Sequence, residues 1–303
     1  MSKILIIDSH KSSSNKPATN LHWLNAKLLS EHLNADLIWS YPTVNDSIKS
    51  GYDKIIFVHA SAYSYVDFKW LEQSPDAKLY FITNEFNLGE SRILWIAIKQ
   101  GRRYEVIANH PPEPSKIVKK YTTAWHNLNL NALSFNPLSI PVAVANYRRC
   151  VYYGSFRKDR IPSFQKYLHA PVILSTHSKN EQKFRDIGVD SEIRKRIDWN
   201  SNDLQQYQFS LYIEDETTHK YYNYLANRFY EALNYGLVPI FTSECKDTIE
   251  KSGYNIPSDL VVDSLEQLID VMKDDYGCLL SGWKLKAQQE KDEVLKELSS
   301  ILA

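Results

Sequence analysis

Between Phe209 and Ser243 the chain reads FSLYIEDETTHKYYNYLANRFYEALNYGLVPIFTS, and no other stretch constrains the fold as strongly. Phe209, Leu211 and Ile213 alternate with polar or smaller neighbours, which is the period of a strand. The run stops at Glu214, Asp215 and Glu216. Leu225, Phe229, Ala232 and Leu233 then recur at helical spacing, and Gly236 can end that helix in the left-handed region. Leu237 to Phe241 is a short continuous apolar run, the pattern of a strand covered on both faces. The order predicts a parallel β-α-β unit. Such a unit sets acidic side chains at a strand's C-terminal end and aims a helix N-terminus into the same crevice, where open α/β sheets bind ligands.

Strand and helix patterns alternate along the rest of the chain. The first half predicts strands at 3–8, 35–39, 54–59, 78–83 and 104–109, with helices near 19–33, 66–73 and 90–100. The segment 122–135 is apolar at intervals and reads in part as a strand. The pattern restarts with strands at 151–154 and 172–175 and helices near 158–168 and 178–187. A strand at 260–262, a helix at 265–274 and a charged helical segment from about Ser281 to Leu302 follow the 208–243 unit. This alternation predicts mostly parallel sheets with helices on both faces. A chain of 303 residues is long enough for about two such domains, each burying an adequate core.

Charge and cysteine usage exclude several classes. Acidic and basic residues balance at 36 each, so a polyanion would have to be met by local patches. No apolar run reaches the roughly 18 residues of a membrane span. The start, Lys3 to Asp8, looks like a strand rather than a signal peptide, and three scattered cysteines suit a reducing compartment. The expectation is a cytoplasmic protein, monomeric or weakly dimeric. With nine glycines there is no GxGxxG after the first strand and no GxxxxGK[ST], which disfavours a dehydrogenase or an NTPase.

Arg228 to Phe241, RFYEALNYGLVPIF, resembles the donor signature of GT-B glycosyltransferases: a glutamate inside a helix, a glycine a few residues on, then a Val-Pro-hydrophobic strand. SLYIEDE, from Ser210, resembles the element that precedes this helix in fucosyltransferase-like members. The resemblance implies two Rossmann-like doubly wound domains facing a central cleft, and a sugar transferred from a nucleotide sugar, UDP-sugars first. It implies an acceptor domain over residues 1–145, a donor domain over 146–280, and a terminal helix over 281–303 crossing back to the first domain. It also implies that Glu231 holds the ribose hydroxyls, that Glu214 and Asp215 line the donor pocket, and that Asn227 and Arg228 belong to it. Asn223 stands where many members carry a second glutamate.

The stretch Tyr152 to Arg160 is a second constellation: a strand ending at Gly154, Ser155, then a helix start carrying Arg157 and Lys158. Helix N-termini favour anions, and two cations there suit a diphosphate whose charge grows as it leaves. Arg228 reads equally as a second phosphate contact or as an ion-pair partner of the 214–216 carboxylates. Thr176 and His177 end another strand where base or diphosphate would lie, with Ser178 as a helix cap. No tightly bound cofactor is read. Asp274 and Asp275 fall in a predicted helix, so no metal ligand is assigned and a divalent ion is left open.

For the acceptor hydroxyl, His10, His59 and Glu85 each follow a predicted strand and are the candidate bases. Arg102 and Arg103, beside Tyr104 and near Trp95, form a basic and aromatic group suited to a phosphodiester backbone. The compact two-domain pattern is similar to phage-encoded glycosyltransferases acting on hydroxymethylpyrimidine DNA. That likeness makes hydroxymethylcytosine in duplex DNA the expected acceptor, with glycan, lipid-linked or small-molecule acceptors and a non-catalytic nucleotide-binding module as alternatives.

Overall fold

A computed structural model describes residues 3–8, 26–38, 51–58, 74–83, 99–109, 120–136, 149–197, 203–214, 225–273 and 276–303. The chain divides into two compact units, Met1–Ser134 with Asp292–Ala303, and Phe135–Lys291.

Unit 1 holds a six-stranded parallel sheet of β1 (Ile4–Asp8), β2 (Asp36–Ile38), β3 (Lys54–Val58), β4 (Lys78–Thr83), β5 (Tyr104–Ala108) and β6 (Thr122–Asn127). Its order is β2-β1-β3-β4-β5-β6. Every residue of β3 is buried, which explains why KIIFV lacks polar alternation. One face gathers Leu5, Ile7, Ile55, Phe57, Leu79, Phe81, Tyr104 and Val106, residues two apart on each strand. The Phe57 and Phe81 rings stack at 4.9 Å, and Tyr104 meets Phe81 edge-on at 5.0 Å. The edge strand β6 is half-exposed throughout, and a short 3-10 turn over Leu130–Ser134 follows it.

Unit 2 holds a second six-stranded parallel sheet: β7 (Cys150–Tyr153), β8 (Ile173–Thr176), β9 (Glu192–Lys195), β10 (Phe209–Tyr212), β11 (Val238–Thr242) and β12 (Val261–Val262). Its described helices are α1 (Ile161–Tyr167), α2 (Ser178–Asp186), α3 (Asn227–Asn234), α4 (Lys246–Ser252), α5 (Leu265–Val271) and α6 (Tyr276–Ile301), the last running on into the residues grouped with unit 1. The strand order β12-β11-β10-β7-β8-β9 reverses direction between β7 and β10. That reversal is the Rossmann switch point, where the connections diverge and leave a crevice at the strands' C-terminal ends.

The β10-α3-β11 unit forms as its sequence predicts. Gly236 adopts φ +80°, its N–H donates to Leu233 O at 3.1 Å, and the Leu237 N–H donates to Ala232 O at 2.9 Å. This double bond closes the helix and satisfies its last carbonyls. Proline is unusual inside a sheet. Pro239 is tolerated in β11 because the short β12 pairs only with Phe241 and Thr242.

Candidate functional site

The switch point of unit 2 is built from four pieces of chain. β7 delivers Tyr152, Tyr153 and Gly154, β10 delivers Ile213 and Glu214, a 3-10 turn over Lys158–Arg160 delivers Arg160, and α3 delivers Asn227, Arg228 and Glu231. Glu214 lies between two arginines. Arg160 Nη2 is 3.2 Å from Glu214 Oε2, and Arg228 Nη1 is 3.9 Å from Oε1. The side chains of Glu214 and Arg160 are only 5% and 6% exposed, and that of Arg228 is 16% exposed. At such burial, removing one partner strands a desolvated charge, at a cost of about 3–5 kcal/mol.

Each arginine is aimed by further contacts. Arg160 Nη1 donates to the Tyr152 hydroxyl at 3.3 Å, and Arg228 Nη1 donates to Ile213 O at 2.9 Å. The Arg228 guanidinium lies 5.2 Å from the Tyr152 ring centroid and 5.6 Å from that of Tyr153, within cation–π range. The Tyr153 hydroxyl donates to Arg228 O at 3.2 Å, and the Ala226 N–H donates to the Tyr212 hydroxyl at 2.7 Å, fixing the start of α3. Gly154 makes the close approach possible: a Cβ there would stand 3.0 Å from the Tyr152 hydroxyl and 3.2 Å from Arg228 Nη2.

Charge in this cluster is poised for an anion. Burial raises the Glu231 carboxyl to about 7, with Arg228 pulling it down and Glu214 pushing it up. Burial works against the Arg228 charge, but Tyr152 and Glu214 outweigh it and its pKa ends above the usual value. Two arginines thus face one firmly paired carboxylate, Glu214, and a second carboxyl that titrates near neutrality.

The structure brings Gly154, Glu214, Asn227, Arg228 and Glu231 together as the sequence suggests. Arg228 is ion-paired with Glu214, the second of its two sequence readings. Asn227 Oδ1 is buried and meets no donor among the described residues. Thr176 is buried and donates to Gly154 O at 2.7 Å, tying the β7 and β8 loops together. His177, rather than Ser178, is the N-cap of α2, its Nδ1 accepting from the Lys179 N–H at 3.2 Å. Ser155, Arg157 and Lys158 are exposed at the rim.

Arg160, Tyr152 and Tyr153 lie in the stretch that the sequence singles out, but the sequence reading assigns them no role. Asp215, His10, His59 and Glu85 lie outside the described residues. Arg102, in unit 1, donates to Ala77 O, and burial lowers its pKa, so its guanidinium braces the fold; Arg103 is exposed. Among the described residues no group of three His, Cys, Asp or Glu side chains gathers to hold a metal ion, and no helix is long and apolar enough to cross a membrane.

No family model and no curated protein matches the chain. Solved structures do. The chain is similar to T4 phage BGT, a point mutant in complex with UDP-glucose, with a TM-score of 0.63 at 16% identity over 97% of this chain and 99% of that one. It is similar to T4 phage BGT in complex with UDP and Mn2+, at 0.62 and 15% over 97% and 99%. It is also similar to the DNA-modifying enzyme β-glucosyltransferase, studied with and without uridine diphosphoglucose, at 0.64 and 16% over 97% and 98%. At this identity the likeness establishes the fold: a two-domain α/β architecture of the GT-B type.

Proposed function

We propose that this chain is a glycosyltransferase that moves a sugar, glucose first, from a UDP-sugar to a hydroxyl acceptor, hydroxymethylcytosine in DNA. One observation carries the reading: a buried Arg160–Glu214–Arg228 cluster with Glu231 beside it, at the switch point of unit 2. A departing nucleoside diphosphate gathers negative charge on its β-phosphate. Arginines already braced on Glu214 and the Tyr152 ring meet that charge without reorganising, which favours the transition state over the ground state. Ionised Glu231 accepts hydrogen bonds from ribose hydroxyls, and Arg157 and Lys158 extend the positive rim toward the diphosphate.

The donor choice follows the neighbours, which hold UDP-glucose or UDP. The acceptor choice follows a neighbour described as DNA-modifying, together with the resemblance read in the sequence. His59, Glu85 and His10 stay the proposed bases for the acceptor hydroxyl. A divalent ion would travel with the diphosphate, as one neighbour's Mn2+ accompanies UDP. We assign it no protein ligand.

The test is mass spectrometry of hydroxymethylcytosine DNA and plain DNA incubated with the chain and a panel of nucleotide sugars, with and without Mn2+. Added hexose on the hydroxymethylated duplex alone supports the reading. Transfer to a small glycan but to no DNA keeps the transferase and removes the acceptor. A nucleotide that raises the melting temperature while no sugar is ever consumed leaves a binding module.

A further inference from the structure

The C-terminal edge of the unit 2 sheet is divided by charge. Outward from the switch point on one side, the chain leaving β8 exposes Lys179, and the end of β9 exposes Lys195 and Arg196. On the other side, the chain leaving β11 and β12 exposes Glu244, Asp247, Asp263 and Glu266. Thr176 and Lys195 pair on the last rung between β8 and β9, so Lys179, Lys195 and Arg196 leave the sheet at one level. Acidic residues near β9 sit at its opposite end: Glu192 begins the strand and pairs with Arg194, and Asp190 holds His169. Among the described residues the exceptions to this division are Asp159 and Glu181 in the basic half and, in the acidic half, Lys246 and Lys166, whose Nζ lies 3.9 Å from Glu244 Oε1.

We propose that Lys179, Lys195 and Arg196 form a rim that tracks the phosphate backbone of duplex DNA while its modified base reaches the switch point. The proposal rests on the DNA-acceptor reading above. Donor and acceptor must meet where β7 and β10 end, so the duplex has to pass over this edge of the sheet. Neighbouring strands stand about 4.8 Å apart, so β7 to β9 spans about 10 Å. Over that distance a duplex presents about six phosphate charges, and three cations counter roughly half of them. The acidic half repels the same backbone, which confines the duplex to one side. A chain of formal net charge +0 exerts no overall pull on DNA, so a polarised edge is what orients the encounter.

The experiment is a salt titration of binding to a fluorescent hydroxymethylcytosine duplex, with the wild-type chain and the triple variant Lys179→Ala, Lys195→Ala, Arg196→Ala. Exposed cations contribute little to folding, so the variant is expected to fold with wild-type melting. The expected result is a log–log salt slope flatter by up to about 2.7, at about 0.9 for each phosphate that a cation no longer meets. Affinity for UDP, measured by calorimetry, stays unchanged, and the charge-keeping variant Lys179→Arg, Lys195→Arg, Arg196→Lys keeps the wild-type slope. A triple variant with wild-type slope and affinity overturns the rim and leaves the acceptor reading intact, provided wild type still sugars the duplex. Wild type that neither binds nor modifies any duplex at about 50 mM salt overturns the acceptor reading and the rim with it.

Discussion

Glu231 carries two opposed demands in one carboxyl. Folding is easier when it is neutral, because burial raises it from the usual 4.5 to about 7. The ribose contact proposed for it needs it charged, because only the carboxylate accepts from both hydroxyls. The native state holds a proton that the unfolded chain has already lost, so stability falls as pH rises from 4.5 to about 7 and is level above. Glu231→Gln should therefore be more stable than wild type at about pH 8, by at most roughly 3 kcal/mol, and the gain should vanish at about pH 4. Water reaching the half-buried side chain lowers that ceiling. Wild-type affinity for UDP should rise with pH through about 7, and Glu231→Gln should bind weakly with no such dependence; denaturation and calorimetry across pH read both effects. Gly154 gives a second prediction. The Cβ of Gly154→Ala would press on the fully buried Tyr152 and on Arg228, so we expect about 1–3 kcal/mol of lost stability and a larger loss of UDP affinity. A variant that binds UDP as wild type does would show that Arg228 has room to move.

At the scale of elements, α3 is held from behind by α6. Glu290 Oε2 accepts from the Tyr230 hydroxyl at 2.8 Å and also from the Tyr254 hydroxyl, while Lys286 donates to Gly253 O at 2.9 Å and lies over the Tyr254 ring at 4.6 Å. Glu290→Ala removes the carboxylate that accepts from both hydroxyls, leaves the 3.5 Å contact of the Tyr254 hydroxyl with the Tyr230 hydroxyl, and should cost about 1–3 kcal/mol in urea unfolding. Tyr254→Phe removes its bond to Glu290 and its 3.5 Å contact with the Tyr230 hydroxyl, keeps the Tyr230–Glu290 bond, and should cost about 1 kcal/mol. Since α3 also carries Arg228 and Glu231, UDP affinity should weaken with the first change more than with the second. None of this tether is visible in sequence, where Tyr230, Tyr254 and Glu290 are merely far apart. The strands of both sheets were legible because buried parallel strands are short apolar runs, as in KIIFV and VPIFT. β9 was not, because the edge strand EIRK is half-exposed and charged, with no alternation to read. The donor helix was legible through its apolar stripe and Gly236. Arg160 was hidden among neighbouring cations: in a turn of about three residues it is the one that rotates inward, a direction fixed by Tyr152 and Glu214 rather than by local pattern.

The whole molecule is two sheets, each with its own core, and the ends of the chain share a unit. Leu298 is fully buried in unit 1, and there the buried Lys54 ammonium donates to Leu302 O at 2.5 Å and Ala303 O at 2.7 Å. Leu298→Ala should lower the stability of unit 1 by about 2–5 kcal/mol. On the proposed function UDP binds only folded unit 2, and it should then raise that unit by about 2.7 kcal/mol at a hundredfold excess over Kd. Scanning calorimetry should then record two transitions, the first moved by the substitution and the second by the nucleotide. One transition moved by both would make the units a single cooperative block.

The discontinuity of unit 1 also has a meaning in time. Its residues up to Ser134 leave the ribosome first, but Asp292–Ala303 follow only after the whole of Phe135–Lys291 has been made. At about 5–20 residues per second, that interval lasts roughly 8–30 s. Through it, the apolar surface destined for Val294, Leu298 and Leu302 stands open on the nascent chain, while unit 2 is already free to close around its own sheet. The domain translated first is thus the domain finished last, and the wait leaves its core exposed to whatever chaperones attend the growing chain.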